Sequence, residues 1–203
     1  QLEQNTQTIV KNGKVRKQKN VTTIPNPLAL NMYVLGFDSK KKLIALDDTV
    51  KQNLRIYLSQ YRVLTDAINI KDAYTINIAV RFSIITQRGY NKNEVLIKCI
   101  DAIKNHFDVD KWSIAQPIFL SDIAYVISLV DGVASVVPPE DDNPQKQMVV
   151  IENKYKVEDG YSGHVYDLQS ATKDGVIYSS LDPSIFELKF PNLDIEGRVV
   201  GDI

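Results

Sequence analysis

Tyr74, Ile76, Ile78, Val80, Phe82 and Ile84 alternate with Thr75, Asn77, Ala79, Arg81 and Ser83. Apolar residues at a strict period of two describe a β-strand, because successive side chains of an extended backbone leave on opposite faces. The pattern predicts a half-buried strand with one apolar and one polar face. Such a strand needs hydrogen-bonding neighbours for its backbone and a second layer over its apolar face. Any fold open to this chain has to meet both needs.

Candidate covers lie on either side of it. Upstream, Val50, Leu54, Tyr57, Leu58 and Tyr61 form one helical stripe, with Lys51, Gln52, Arg55 and Gln60 on the opposite face. The spacing predicts a helix over 48–62, capped by Asp47 or Asp48 and packed in the same core as the strand. Downstream, Leu96, Cys99, Ile100, Ile103 and Phe107 make a second stripe. Ile123, Val126, Ile127 and Val130 make a third, opened by Ser121 as N-cap and stopped by Gly132. "VASVV" then reads as a strand. Before the first helix, "MYVLGF" and "KLIAL" flank "DSKK" and read as two strands, or a strand and an extended entry. This order predicts an α+β fold over 31–138, a two-layer, ferredoxin-like unit.

The flanks differ in character. Residues 1–30 read as a hairpin and connector, since Asn12-Gly13 separates "TQTIV" from "KVRKQ" and "IPNP" breaks regular structure. Lys11, Lys14, Arg16, Lys17 and Lys19 would blunt the edge of such a hairpin. A competing reading makes them, with Lys40 to Lys42, a phosphate-contacting surface. The net charge of -1 and sequence pI near 6.2 speak against a nucleic-acid partner. Residues 139–203 begin in the acidic, proline-rich "PPEDDNP" and continue as a β-rich extension. "MVVIENKYKVE" and "SIFELKF" are its strands, and "PNLDIEGRVVGDI" is a tail without a core of its own. Ile185, Phe186, Leu188, Phe190, Val199 and Val200 are therefore candidate contacts in a two-fold dimer; the alternative is that they fold back on their own sheet.

Catalytic signatures are scarce. No phosphate-binding glycine loop, HExxH, CxxC or GxSxG occurs. Glu140, Asp141 and Asp142 read as solvated carboxylates. Ser162, His164 and Asp167 crowd together, but a Ser-His-Asp triad is recognised by roles assembled in space and not by proximity in sequence. The one cysteine, Cys99, sits in an apolar stripe and reads as a small buried hydrophobe, and it excludes an intramolecular disulfide. Two histidines and one cysteine are too few for a zinc site of ordinary spacing. His106 is placed near a helix end, where a cation favours the dipole. The most apolar stretch, Ile118 to Val137, is broken by Ser121, Asp122, Ser128, Asp131 and Gly132, so no membrane helix is expected. The expectation is a protein without catalytic, metal or cofactor-binding residues, not an enzyme. An enzyme fragment with a site near His164, Tyr166 and Asp167 is the alternative. The beginning "QLEQNTQTIV" lacks both a signal-peptide pattern and an initiating Met, as expected of a fragment or processed product.

Three stretches carry a resemblance. "MYVLGFDSKKKLIALDDTVKQNLRIYLSQYRVLTDAINIKDAYTINIAVRFSI", "SDIAYVISLVDGVASVVPPE" and "SATKDGVIYSSLDPSIFELKFPN" resemble the baseplate J-like family of contractile-tail phage proteins. The likeness runs from about Asn31 to the end of the chain and rests on extent, not on a catalytic fingerprint. It implies a structural subunit of a tail baseplate wedge, the C-terminal part of a longer protein, present in two copies per wedge. By the same resemblance it would be a homodimer that joins other wedge proteins in the inner baseplate ring. Its contacts would persist while the baseplate changes shape. It would be assembled in the host cytoplasm, reside in the virion, and take no nucleic acid, membrane or small-molecule substrate.

Overall fold

The computed structural model describes residues 6–11, 14–19, 30–39, 41–61, 68–139, 146–180 and 182–202. In chain order its elements open with β1 (Thr6–Lys11), β2 (Lys14–Lys19), β3 (Leu30–Val34), β4 (Gly36–Phe37), β5 (Leu43–Ile44), α1 (Asp48–Ser59), β6 (Ile68–Asp72) and β7 (Tyr74–Thr86). There follow α2 (Lys92–His106), β8 (Ile118–Phe119), α3 (Leu120–Ser128), β9 (Val133–Val137) and β10 (Val149–Lys154). The last are α4 (Leu168–Ala171), β11 (Thr172–Lys173), β12 (Val176–Ile177), β13 (Ser184–Glu187), α5 (Pro191–Asp194) and β14 (Ile195–Asp202). The fold is α+β, and the chain divides into two units: Gln1–Met32 with Asp47–Lys71, and Tyr33–Leu46 with Asp72–Ile203.

The larger unit is built on β7, the strand that the alternation predicts. Asn77 is paired with both Lys154 of β10 and Glu187 of β13, Val80 with both Ile151 of β10 and Ile195 of β14, and Ser83 with both Val137 of β9 and Arg198 of β14. A strand has only two edges. So β13 and β14 lie in tandem, parallel to β7, along one edge, and β9 and β10 lie in tandem, antiparallel, along the other. One 13-residue strand thus serves as the spine for four shorter ones. The expected boundary near residue 138 does not exist, because β10, β13 and β14 from the supposed extension complete the sheet. The tail is likewise corrected: its residues 195–202 form β14, which pairs with β7, and Ile195 enters the buried cluster with Val199 packed against it.

Ile76, Ile78, Val80, Phe82 and Ile84 share one buried cluster with Val95, Cys99, Ile103 and Phe107 of the α2 segment and Ile123 and Ile127 of α3. Asn91 caps α2, its side-chain oxygen accepting from the Asn93 and Glu94 N–H groups. Ser121 does not cap α3, which begins one residue earlier at Leu120 with Phe119 at the cap position and no side-chain bond there. Gly132 ends that region with φ +94, and an added Cβ would come within 2.6 Å of Tyr90 and 2.7 Å of Val95, so both conformation and space require glycine. The strand is not half-buried as its pattern predicts. Thr75, Asn77, Ala79 and Ser83 are buried as well, while Tyr74, at the strand's start, is exposed. Asn77 tolerates burial because its side-chain oxygen and nitrogen are both hydrogen-bonded, to Ser162 and to Glu187, as described below.

In the smaller unit β1 pairs antiparallel with β2, Lys11 opposite Lys14, as the hairpin reading expects; Asn12 and Gly13 lie outside the described residues. β3 pairs with β6. α1 ends at Ser59, whose hydroxyl donates to the Ile56 carbonyl at 2.6 Å. None of its residues is buried, and the Asp47 side chain makes no cap bond. The buried cluster around β7 takes its helical residues from α2, α3 and α4.

Candidate functional site

Residues Tyr161 to Asp167 carry most of the polar side chains that invite a chemical reading, and each is engaged by neighbouring backbone or side chains. The Ser162 hydroxyl donates to the Thr75 carbonyl at 2.7 Å, and the Ser162 N–H donates to Asn77 Oδ1 at 2.8 Å. His164 Nδ1 stands 3.0 Å from the same Thr75 carbonyl. A carbonyl only accepts, so in the neutral ring Nδ1 holds the proton and Nε2 remains an acceptor. The Tyr166 N–H donates to Asn153 Oδ1 at 2.9 Å, and its hydroxyl to the Tyr178 carbonyl at 2.8 Å. Asp167 caps α4, accepting from the N–H groups of Gln169 and Ser170 and from the Ser170 hydroxyl at 2.5 Å. The Ser170 hydroxyl first, and then these N–H groups, hold its carboxyl below the usual carboxylate range. Ser162, His164 and Asp167 thus strap a loop onto β7 and cap a helix turn; they do not form a nucleophile–base–carboxylate relay.

The same loop walls an open cleft of about 290 Å³ lined by Tyr74, Ile76, Gly163, His164, Val165, Tyr166, Ser180, Asp182 and Ser184. His164 and Tyr166 line it and Asp167 does not. The Tyr74 and His164 rings meet edge to face, centroids 5.1 Å apart. Ser180 Oγ accepts from the Asp182 N–H at 3.2 Å.

Beneath the loop is a polar network that sequence reasoning missed. Glu187 is 1% exposed; its Oε1 accepts from the Leu43 N–H at 2.9 Å and its Oε2 from Asn77 Nδ2 at 2.7 Å. Asn77 passes the chain of bonds to Ser162. Asp194, equally buried, accepts from the Tyr161 hydroxyl at 2.5 Å and from the Phe190 N–H at 2.7 Å. Burial, and then that contact, push the Tyr161 hydroxyl's pKa up. The only hint in sequence was a glutamate amid "SIFELKF" and an asparagine amid the alternating strand.

The expected dimer contacts fall into two groups. Ile185, Phe186 and Leu188 are 4%, 2% and 5% exposed and belong to this chain's own core, so their assignment as contacts with a second copy is corrected. Phe190 and Val199 are half-buried, the first stacked edge to face on Tyr161 at 5.4 Å. Val200 alone of the six stays exposed, at 47%. The physical reason is the parallel pairing of β13 with β7, which puts Phe186 and Leu188 in the cluster with the helix residues and buries Ile185 as well.

Other candidates are equally occupied. Cys99 is buried, and desolvation pushes its thiol up to about 11. His106 lies in the last turn of α2 and rests edge to face on Phe107, and burial lowers its pKa. Lys41 pairs with Asp110 at 2.6 Å, and Lys42 Nζ donates to the Lys189 carbonyl. Glu140, Asp141, Asp142 and Lys40 lie outside the described residues. Among the described residues no three His, Cys, Asp or Glu side chains are grouped as a metal ion needs, and no helix is long and apolar enough to cross a membrane. No family model matches the sequence, and no curated protein matches it significantly.

Proposed function

We propose that this chain is a structural assembly subunit, a component of a contractile-tail baseplate wedge of the baseplate J-like kind. The observation that carries the reading is the engagement of Ser162, His164, Tyr166 and Asp167 in loop-fastening hydrogen bonds. Residues of catalytic type are here used to hold a loop against a sheet. The long resemblance from Asn31 onward supplies the class of assembly. On this reading the chain is not an enzyme, pairs with a second copy, joins other wedge proteins, and ends in the virion after assembly in the host cytoplasm. Exposed Ile97, Tyr125, Leu129 and Leu193 offer apolar surface for such contacts. The two-layer, ferredoxin-like arrangement is part of this proposal, and what supports it is the packing of α2 and α3 against the apolar residues of β7.

The enzyme reading near His164, Tyr166 and Asp167 is the weaker one, since Asp167 stands outside the cleft that the other two line. Light scattering of the purified chain, followed by co-sedimentation with other baseplate proteins, tests the proposal. A dimer that co-sediments supports it. A chain that is monomeric at high micromolar concentration and sediments alone rejects it.

A further inference from the structure

The cleft beside β7 has a chemical bias that its loop-fastening bonds leave open. Among the described residues that line it, Asp182 is the one carboxylate and no lysine or arginine is present. The remaining polar groups are acceptors or can act as such. His164 has Nε2 left over once Nδ1 faces the Thr75 carbonyl, and the Ser180 hydroxyl keeps a lone pair beyond the one that takes the Asp182 N–H. Tyr74, about half exposed, and Tyr166 contribute ring surface, which attracts cations through its negative face. An anion would meet the Asp182 charge with no compensating cation. A neutral apolar group would leave the acceptors facing it without donors. At about 290 Å³ the space is at the small end of ligand sites, below what a nucleotide or a large cofactor needs.

We propose that this cleft receives the basic side chain, arginine above lysine, of a second polypeptide. A planar guanidinium presents several N–H donors to acceptors arranged around it and lies flat on a tyrosine ring, which an ammonium does less well. The Asp182 carboxylate supplies the charge, and the two tyrosines supply the surface for the alkyl stem and the guanidinium plane. The inference stands on the cleft's chemistry and holds whether or not the chain belongs to a phage tail.

Butylguanidinium chloride is the probe, with butan-1-ol and sodium butyrate as apolar and anionic controls at matched ionic strength. The readout is the NMR signals of the His164, Tyr74 and Tyr166 rings. Butylguanidinium should shift these signals saturably in the millimolar range, butylammonium more weakly, and neither control saturably. Asp182→Asn should weaken the guanidinium by about tenfold, because it removes the charge from an exposed position without disturbing the fold. The far-ultraviolet circular dichroism and melting temperature of the variant check the last point. Equal affinity for butan-1-ol, an unchanged affinity in Asp182→Asn, or shifts that stay linear to tens of millimolar would each overturn the proposal.

Discussion

Glu187→Ala is the sharpest probe of how the two faces of β7 are held. The carboxylate is buried and accepts from two donors, Leu43 N–H at 2.9 Å and Asn77 Nδ2 at 2.7 Å. Removing it orphans both donors where almost no water reaches them, at about 1–3 kcal/mol each. Against this, the variant no longer holds a carboxylate away from water, which returns part of the loss. The donors' loss wins because each ties a further segment to the sheet: Leu43 belongs to the β4–β5 hairpin, and Asn77 of β7 passes the chain of bonds to Ser162. We expect a net cost of about 3 kcal/mol. Urea unfolding followed by circular dichroism measures it. With a slope of about 2 kcal/mol per molar for a domain of this size, the midpoint should fall by roughly 1.5 M. Glu187→Gln keeps one acceptor and turns an amide donor toward the other partner, so it should cost about half as much. In the double variant with Asn77→Ala one orphan disappears with its partner, and the costs should fall short of additivity by about 1 kcal/mol. A loss below about 0.5 kcal/mol for Glu187→Ala, or strict additivity in the cycle, would refute the reasoning.

Gly197→Ala should cost about 1–3 kcal/mol, because the new methyl would stand 2.5 Å from Phe82 Cζ and 2.6 Å from Leu96 Cδ1. Gly201→Ala in the same strand has no atom within 4 Å of its Cβ, and its melting temperature should stay close to wild type. Cys99, fully buried with its thiol raised by desolvation, should resist a chromogenic disulfide reagent at pH 8 and react at once in denaturant; rapid reaction of the native protein would place it at the surface. Asp167 has a folded-state pKa below its unfolded value, so its contribution is present above about pH 5 and is lost as pH falls through the folded value. The stability gap between wild type and Asp167→Ala should therefore narrow between about pH 5 and pH 3, and a gap that widens on acidification would reverse the assignment.

Local pattern determined a good deal of this protein. The period-two run named β7, the stripes named α2 and α3, and Gly132 marked the turn between α3 and β9, because side-chain periodicity and positive φ are local properties of the chain. The stripe of α1 was just as regular, yet none of its residues is buried; periodicity says that a helix has an apolar side, not what meets it. Burial of the polar face of β7 was likewise outside the reach of sequence. Thr75, Asn77 and Ser83 read as solvent-facing, and the Asn77 side chain is dry because it bonds to a loop and a strand 85 and 110 positions away. Ser162, His164 and Asp167 were visible as residue types, but whether a hydroxyl attacks a substrate or fastens a loop depends on the acceptor it meets, here the Thr75 carbonyl. The last residues show the same division. "SIFELKF" announced a strand, whereas "DIEGRVVGDI" read as a tail; the apolar side chains of both announced a need for cover. Whether that cover came from a second copy or from the chain itself was decided by tertiary structure, when β7 accepted both along one edge in parallel register. Parallel pairing across more than a hundred residues leaves no short-range trace, since its hydrogen bonds join backbone groups that every residue carries.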